Sequence, residues 1–228
     1  LYTDEPENES YQDEFLENIE NVLSDDDREY LEQPLTKQEI KEALISLQNN
    51  KTPGPDGLTK ELLLFFWDEL EDFYEKVLEE IRQCGELTIS QQLALIKISY
   101  KKNGRQFLKN YRPISLLNID LKLITKVLAK RLAKVIGSIV HESQKCVPGR
   151  KMTDIIHLNQ DQDAILEEDS EAMYIFLDQE KAFDRISHKF LFKTLHRFGF
   201  GENFIEWIKI LYRNVSSKVK VNGFLTDK

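Results

Sequence analysis

The sequence predicts an α+β fold, rich in helix and carrying short antiparallel strands. Three observations lead there. Apolar residues recur at helical spacing over 36–47, 62–84 and 120–136. Short apolar runs stand at 93–98 and 174–177, and an alternating Lys-Val-Lys-Val segment at 218–221. Turn signals separate them: Pro53-Gly54-Pro55-Asp56-Gly57, Lys101-Lys102-Asn103-Gly104 and Asn222-Gly223.

The chain of 228 residues is long enough for one sizeable core. Its 41% hydrophobic content, with 10% aromatics, is that of a folded domain. No apolar run approaches the roughly 20 residues that span a bilayer, and the acidic start does not read as a secretory signal. Cys84 and Cys146 stand apart and near no histidine cluster, which points to a reducing, intracellular compartment and away from zinc. His141, His157, His188 and His196 lack metal-ligand spacing. The net charge of −9 averages two opposite regions. Residues 1–34 hold 13 Asp/Glu against one Arg, and residues 97–151 hold 14 Lys/Arg against only Asp120 and Glu142. The second is the charge density expected of a groove that tracks phosphates; the other reading is a solvated basic face.

Along the chain, residues 1–34 read as an acidic linker with a short helix marked by Phe15, Ile19, Val22 and Leu23. Because the first residue is Leu1, upstream sequence is expected. Residues 35–228 then form one domain. Thr36 with Glu39 makes a capping box ahead of Ile40, Ala43, Leu44 and Leu47. A helix follows from Leu62 to Cys84, ending near Gly85. Leu93–Ile98 predicts a strand, residues 101–104 its hairpin tip, and Arg112–Leu117 the returning strand. The helix at 120–136 is basic and amphipathic, with Lys122, Lys126, Lys130 and Lys134 on one stripe; Lys126 and Lys130 face a nucleic-acid backbone in this reading. Further helices are predicted at 153–167, 187–198 and 202–213. Lys218–Val221 enters an Asn222-Gly223 hairpin that the last five residues do not complete, which predicts a truncated domain.

Four segments carry chemistry. The run Met173-Tyr-Ile-Phe-Leu-Asp-Gln-Glu-Lys-Ala-Phe-Asp-Arg-Ile-Ser-His188 places Asp178 at the tip of an apolar strand. Burial there holds a carboxylate rigid enough to bind Mg²⁺ in defined geometry. Asp184, by contrast, reads as a turn or cap residue. In Asn110-Tyr-Arg-Pro-Ile-Ser-Leu-Leu-Asn118, an Arg fixed on a strand beside proline can grip phosphate with two parallel bonds, which Lys cannot. Lys51-Thr-Pro-Gly-Pro-Asp-Gly57 and Gln144-Lys-Cys-Val-Pro-Gly-Arg150 are the other two.

These segments together resemble the LINE-type (non-LTR) retrotransposon reverse transcriptases over about residues 35–228. The resemblance implies a right-hand polymerase fold, here the fingers and the first part of the palm, and RNA-directed DNA polymerisation. It implies an RNA template, a DNA primer, deoxynucleoside triphosphates and Mg²⁺ as partners, and a nuclear site of action. Asp178 takes the place of a catalytic metal ligand. Arg112 takes that of the triphosphate contact, with Lys101 or Lys102 as a second one. Phe183 falls where a bulky aromatic excludes a ribose 2′-OH; read from the residues alone, it is equally a core Phe at a helix entry. Arg150 falls in a nucleic-acid-binding loop, but the Gly expected before Val147 is missing and the loop is one residue short.

The family's second carboxylate motif, F/Y-x-D-D, does not occur in this sequence, nor does its glutamine-glycine motif. Two-metal transfer draws carboxylates from more than one strand, so the chain alone is expected to be an inactive fragment. The alternative is a non-catalytic nucleic-acid-binding remnant. A phosphotransferase using Asp178 as nucleophile is a further reading, weakened by Glu180 where a second Asp would stand.

Overall fold

The computed structural model describes residues 8–157, 175–179, 182, 183 and 185–226. The chain forms two compact units, Leu1–Leu31 with Arg131–Gly201, and Glu32–Lys130 with Glu202–Lys228. The described residues of the acidic N-terminal region up to Leu31 lie in the first of these units.

In the first unit, α1 (Glu9–Glu17) and α2 (Asp25–Glu32, to Leu31 in this unit) bury Leu16, Leu23 and Leu31. Helix α7 (His188–Arg197) holds them. The Arg197 guanidinium donates to the Leu16, Glu17 and Ile19 carbonyls at 2.9, 3.1 and 3.2 Å, at and just beyond the end of α1. Leu23 N–H donates to Phe198 O at 2.8 Å, and Lys193 pairs with Asp13 at 2.8 Å. Three buried leucines and the bonds from Arg197 pack this segment within the unit. Ser187 caps α7 through Phe190 N–H, as its position predicts.

The second unit begins with α3 (Lys37–Ser46). Thr36 and Glu39 form the predicted capping box, and Ile40, Ala43 and Leu44 are buried. The helix predicted from Leu62 to Cys84 is two helices, α4 (Lys60–Phe65) and α5 (Trp67–Cys84). The break falls at Phe66, whose φ of −99° and ψ of 18° leave the helical region. Phe65 and Phe66 stand edge to face at 4.8 Å there, and consecutive aromatics lose rotamer freedom against the preceding turn. Lys60 is buried and caps α3, donating to Ile45 O at 2.9 Å, Leu47 O at 2.5 Å and Asn49 Oδ1 at 2.7 Å. Gly85, at φ 68°, ends α5 in the left-handed conformation.

Strands β1 (Leu93–Tyr100) and β2 (Tyr111–Leu116) make the predicted antiparallel hairpin, with a tip that runs over 101–110 rather than four residues. Helix α6 (Ile119–Ile139) follows; its residues up to Lys130 belong to this unit and the rest to the first. Helix α8 (Glu202–Tyr212) buries Phe204, Ile205, Trp207 and Ile210, and the Glu32 carboxylate accepts from Asn203 and Phe204 N–H at its N-terminus. Strands β3 (Ser216–Val221) and β4 (Phe224–Leu225) close on Asn222 and Gly223, both at positive φ. The sheet order is β2-β1-β3-β4, and β1 pairs with β3 in parallel. The sheet is therefore mixed, not purely antiparallel: the long connection between β1 and β3 contains enough helix for a crossover.

A cavity of about 530 Å³ opens between α4 and α5, lined by Leu62, Phe66, Phe73 and Tyr74, with Gln91 and Asp120 at its polar side. Burial pushes the Asp120 carboxyl up from its ordinary range, against the bonds from Gln91 and Leu121 N–H, and Asp56 adds to the rise. Between the ordinary and the raised value the folded state keeps a proton that the unfolded chain has lost, so stability falls as pH rises through that window. Asp120→Asn is expected to raise the melting temperature at pH 7 and to leave it unchanged near pH 3, where both states of Asp120 are protonated. Circular dichroism melts at the two pH values check this; an equal gain at both would contradict it.

Candidate nucleic-acid interface

The sequence-predicted residues divide between the two units. Arg112, Lys101, Lys102, Lys126 and Lys130 lie in the second, and Arg150, Asp178 and Phe183 in the first.

Arg112 stands exposed on β2, opposite Ser99 of β1. Strand β2 is a sheet edge, where the missing N–H of Pro113 needs no ladder partner. The residue before a proline is biased to extended backbone, which suits Arg112 to a strand. The hairpin tip is organised by its own polar groups. Lys101 N–H donates to Asn110 O at 2.9 Å, and buried Asn110 donates to Gly104 O at 2.7 Å. Tyr100 and Tyr111 meet edge to face at 5.7 Å, with the Arg105 guanidinium 4.9 Å above the Tyr100 ring. Lys101 and Lys102 project exposed from this tip.

The base of the hairpin is set by Asn118, the last residue of the Asn110–Asn118 motif, which is 1% exposed. Its Nδ2 donates to Ser90 O and Ser90 Oγ at 3.0 and 2.9 Å, and its Oδ1 accepts from Asp56 N–H at 3.3 Å. The Pro-Gly-Pro-Asp-Gly turn is thereby fastened to both ends of the hairpin. A Cβ at Gly54 would lie 2.3 Å from Asn118 Oδ1 and 2.4 Å from its backbone N, so only glycine fits. The amides of Asp56, Gly57 and Leu58 already donate to Asn118 Oδ1, Gly54 O and Asp56 Oδ1. The turn is an internal clamp, and these three N–H groups are taken.

Helix α6 buries Leu121, Leu123, Ile124, Val127, Leu128, Val135 and Ile139 on one side. Lys126 is exposed and Lys130 half-buried, which places the lysine stripe as predicted. Lys134 instead lies 4.8 Å from the Tyr30 ring, and Arg131 is buried, with a bond to Leu31 O at 3.5 Å.

Arg150 is bound within its own loop. Its guanidinium donates to four backbone carbonyls beyond and within the end of α6: Gly137, Val140, His141 and Gln144, at 3.0, 2.7, 2.6 and 2.9 Å. With four of five donors engaged, little remains for a phosphate. The shortened loop folds around the arginine.

Ile175, Phe176 and Leu177 are not in a buried strand; they are 74%, 86% and 93% exposed, and residues 175–179 carry no ladder. An apolar run becomes a strand only where a neighbour offers its backbone partners. Asp178 is exposed on this extended segment, and Phe183 is 92% exposed, so it is no core residue. Tyr174, Glu180, Asp184 and residues 158–167 of the predicted helix lie outside the described residues. Among the described residues no three His, Cys, Asp or Glu side chains gather to hold a metal. Nor is any helix among them long and apolar enough to cross a membrane.

Residues 100–227 match the model of the reverse transcriptase (RNA-dependent DNA polymerase) family. The chain belongs to the reverse transcriptase family. It is 38% identical over 207 residues to the Transposon TX1 uncharacterized 149 kDa protein of Xenopus laevis, covering 90% of this chain and 16% of that protein. It is 22% identical over 200 residues to the retrovirus-related Pol polyprotein from type-2 retrotransposable element R2DM of Drosophila melanogaster, covering 85% and 18%. Both relatives come from transposable elements, in line with the non-LTR retrotransposon resemblance of the motifs. The chain spans less than a quarter of either. Reverse transcriptases transfer nucleotidyl groups and generally depend on metal ions.

The sequence reading missed Lys60, Asn110 and Asn118 as organisers. The two asparagines bound the Arg112 motif, and that flanking position was the available signal.

Arg150→Gln is expected to destabilise the fold by about 2 kcal/mol, the scale of lost charge-assisted bonds, and to leave the salt dependence of RNA binding unchanged. Urea unfolding and fluorescence anisotropy check the two halves. A stable variant with weakened RNA binding would return Arg150 to the interface.

Proposed function

We propose that this chain supplies the fingers and first palm segment, residues 35–228, of an RNA-directed DNA polymerase of a non-LTR retrotransposon. RNA template, DNA primer and deoxynucleoside triphosphates are its partners, and the nucleus its place of action. The observation that carries the reading is the Arg112 hairpin: an exposed guanidinium on an edge strand, its base clamped by Asn118 and its tip presenting Lys101 and Lys102. Rigid cationic donors of this kind neutralise a triphosphate without reorganising when it arrives. Phe183 is proposed as the residue that meets the sugar of the incoming nucleotide. Asp178 is proposed as one Mg²⁺ ligand; bound there, the ion would neutralise the phosphates during transfer. With a single motif carboxylate in its sequence, the chain alone is proposed to extend no primer.

A second reading, nucleic-acid binding without catalysis, is favoured by the exposed cations of β1, β2 and α6 taken by themselves. It predicts binding that survives Asp178→Ala and falls steeply with salt.

The test is titration of the 228-residue chain with a fluorescent deoxynucleoside triphosphate in Mg²⁺. Arg112→Gln is expected to weaken binding about tenfold or more, from the loss of charge-assisted bonds, and Phe183→Val to narrow the preference over the ribonucleotide. Equal binding by wild type and Arg112→Gln would overturn the nucleotide reading. Primer extension abolished by Asp178→Ala would overturn the claim that the chain is inactive alone.

A further inference from the structure

The sheet register brings together cations that lie far apart in sequence. In β1–β2, Arg112 faces Ser99 and Ile114 faces Lys97. In β1–β3, Lys97 is the partner of Lys220, and Leu95 that of Lys218. In β3–β4, Lys220 is the partner of Leu225. Side chains of directly paired residues, and of residues two apart along a strand, point to one face. One face therefore carries Arg112, Lys97, Lys220 and Lys218, drawn from three strands.

The four described strands contain no Asp or Glu, and among the described residues no carboxylate pairs with these four side chains. Lys97, Arg112 and Lys220 are exposed, and Lys218 is half-buried. Lys97 and Lys220 stand directly opposite each other, an arrangement that destabilises a sheet unless something neutralises it. Successive rows on the face are about 6.8 Å apart, so the charges run roughly 14 Å from the Arg112 row through Lys97 and Lys220 to Lys218. A narrow line of cations on a flat surface suits a single backbone of phosphates, which it can follow without reading bases.

We infer that this sheet face is a phosphate-tracking surface for single-stranded RNA, with Lys97, Lys218 and Lys220 as its contacts. The inference rests on the proposed polymerase reading for the identity of the strand as template, and it runs the strand to the residue assigned to the triphosphate, Arg112. Lys218 and Lys220 act in it although they lie 67 and 69 positions beyond the end of the basic 97–151 region.

The test is binding of a labelled single-stranded oligoribonucleotide to the 228-residue chain, followed by fluorescence anisotropy across a salt series. The triple variant Lys97→Gln, Lys218→Gln, Lys220→Gln is expected to lower the slope of log K against log salt by about two, at roughly 0.7 per phosphate contact on a single strand. Lys41→Gln with Lys76→Gln, on α3 and α5, should leave the slope unchanged, and circular dichroism should show all variants folded. The triple variant should also bind the fluorescent deoxynucleotide as wild type does, since Arg112 remains. An unchanged RNA slope in the triple variant overturns the track, as does the absence of RNA binding by wild type or equal strength on duplex RNA. If instead the triple variant loses RNA while Arg112→Gln leaves nucleotide binding intact, the track stands and the nucleotide reading fails.

Discussion

The buried amide of Asn118 is the interaction on which the second unit's working surface depends. Its three hydrogen bonds join the Pro-Gly-Pro-Asp-Gly turn, the approach to β1 and the start of α6. Asn118 itself is buried, and a buried amide left unpaired costs on the order of 1–3 kcal/mol. The absence of a side chain at Gly54 lets the turn come this close. With that junction fixed, the hairpin that carries Arg112 leaves the core in one direction, and its own asparagine, Asn110, keeps the tip in shape.

A second pattern is the division of labour among the cations. Arg150, Arg197 and Lys60 are drawn inward onto the carbonyls that end α6, α1 and α3. Those acceptors have no partner within their helices, and a guanidinium or ammonium satisfies several at once while also meeting the negative end of the helix dipole. Among the described residues, Lys97, Arg112, Lys218 and Lys220 of the sheet and Lys126 and Lys130 of α6 make no such bond to a helix-end carbonyl, and they are proposed to meet a ligand. Charge counted along the sequence merges these two populations; only the helix ends separate them.

That distinction explains what the sequence made legible and what it did not. The capping box at Thr36, the cap at Ser187, the β1–β2 hairpin, the α6 stripe and the Asn222-Gly223 turn depend on neighbours a few residues away, and all were readable. The parallel pairing of β1 with β3 depends on residues more than a hundred apart and leaves no local trace. The same holds for the Lys97–Lys220 juxtaposition that follows from it. The burial of Leu16, Leu23 and Leu31 in the acidic start leaves no local trace either, because the bonds that hold this segment come from Arg197 and Phe198. Arg150 looked like a nucleic-acid contact because its motif does so in the resembling family, whereas in this chain a shortened loop wraps it. The apolar residues before Asp178 have strand composition, yet among the described residues 175–179 lie in no strand.

One set of cations is proposed to meet RNA, while another holds helix ends together. Lysine acetylation footprinting by mass spectrometry, with and without a single-stranded oligoribonucleotide, tests that division residue by residue. RNA should slow modification of Lys97, Lys126, Lys130, Lys218 and Lys220, and leave Lys41, Lys76 and Lys189 unaffected. Protection spread evenly over all the lysines, or confined to those outside the sheet and α6, would contradict it.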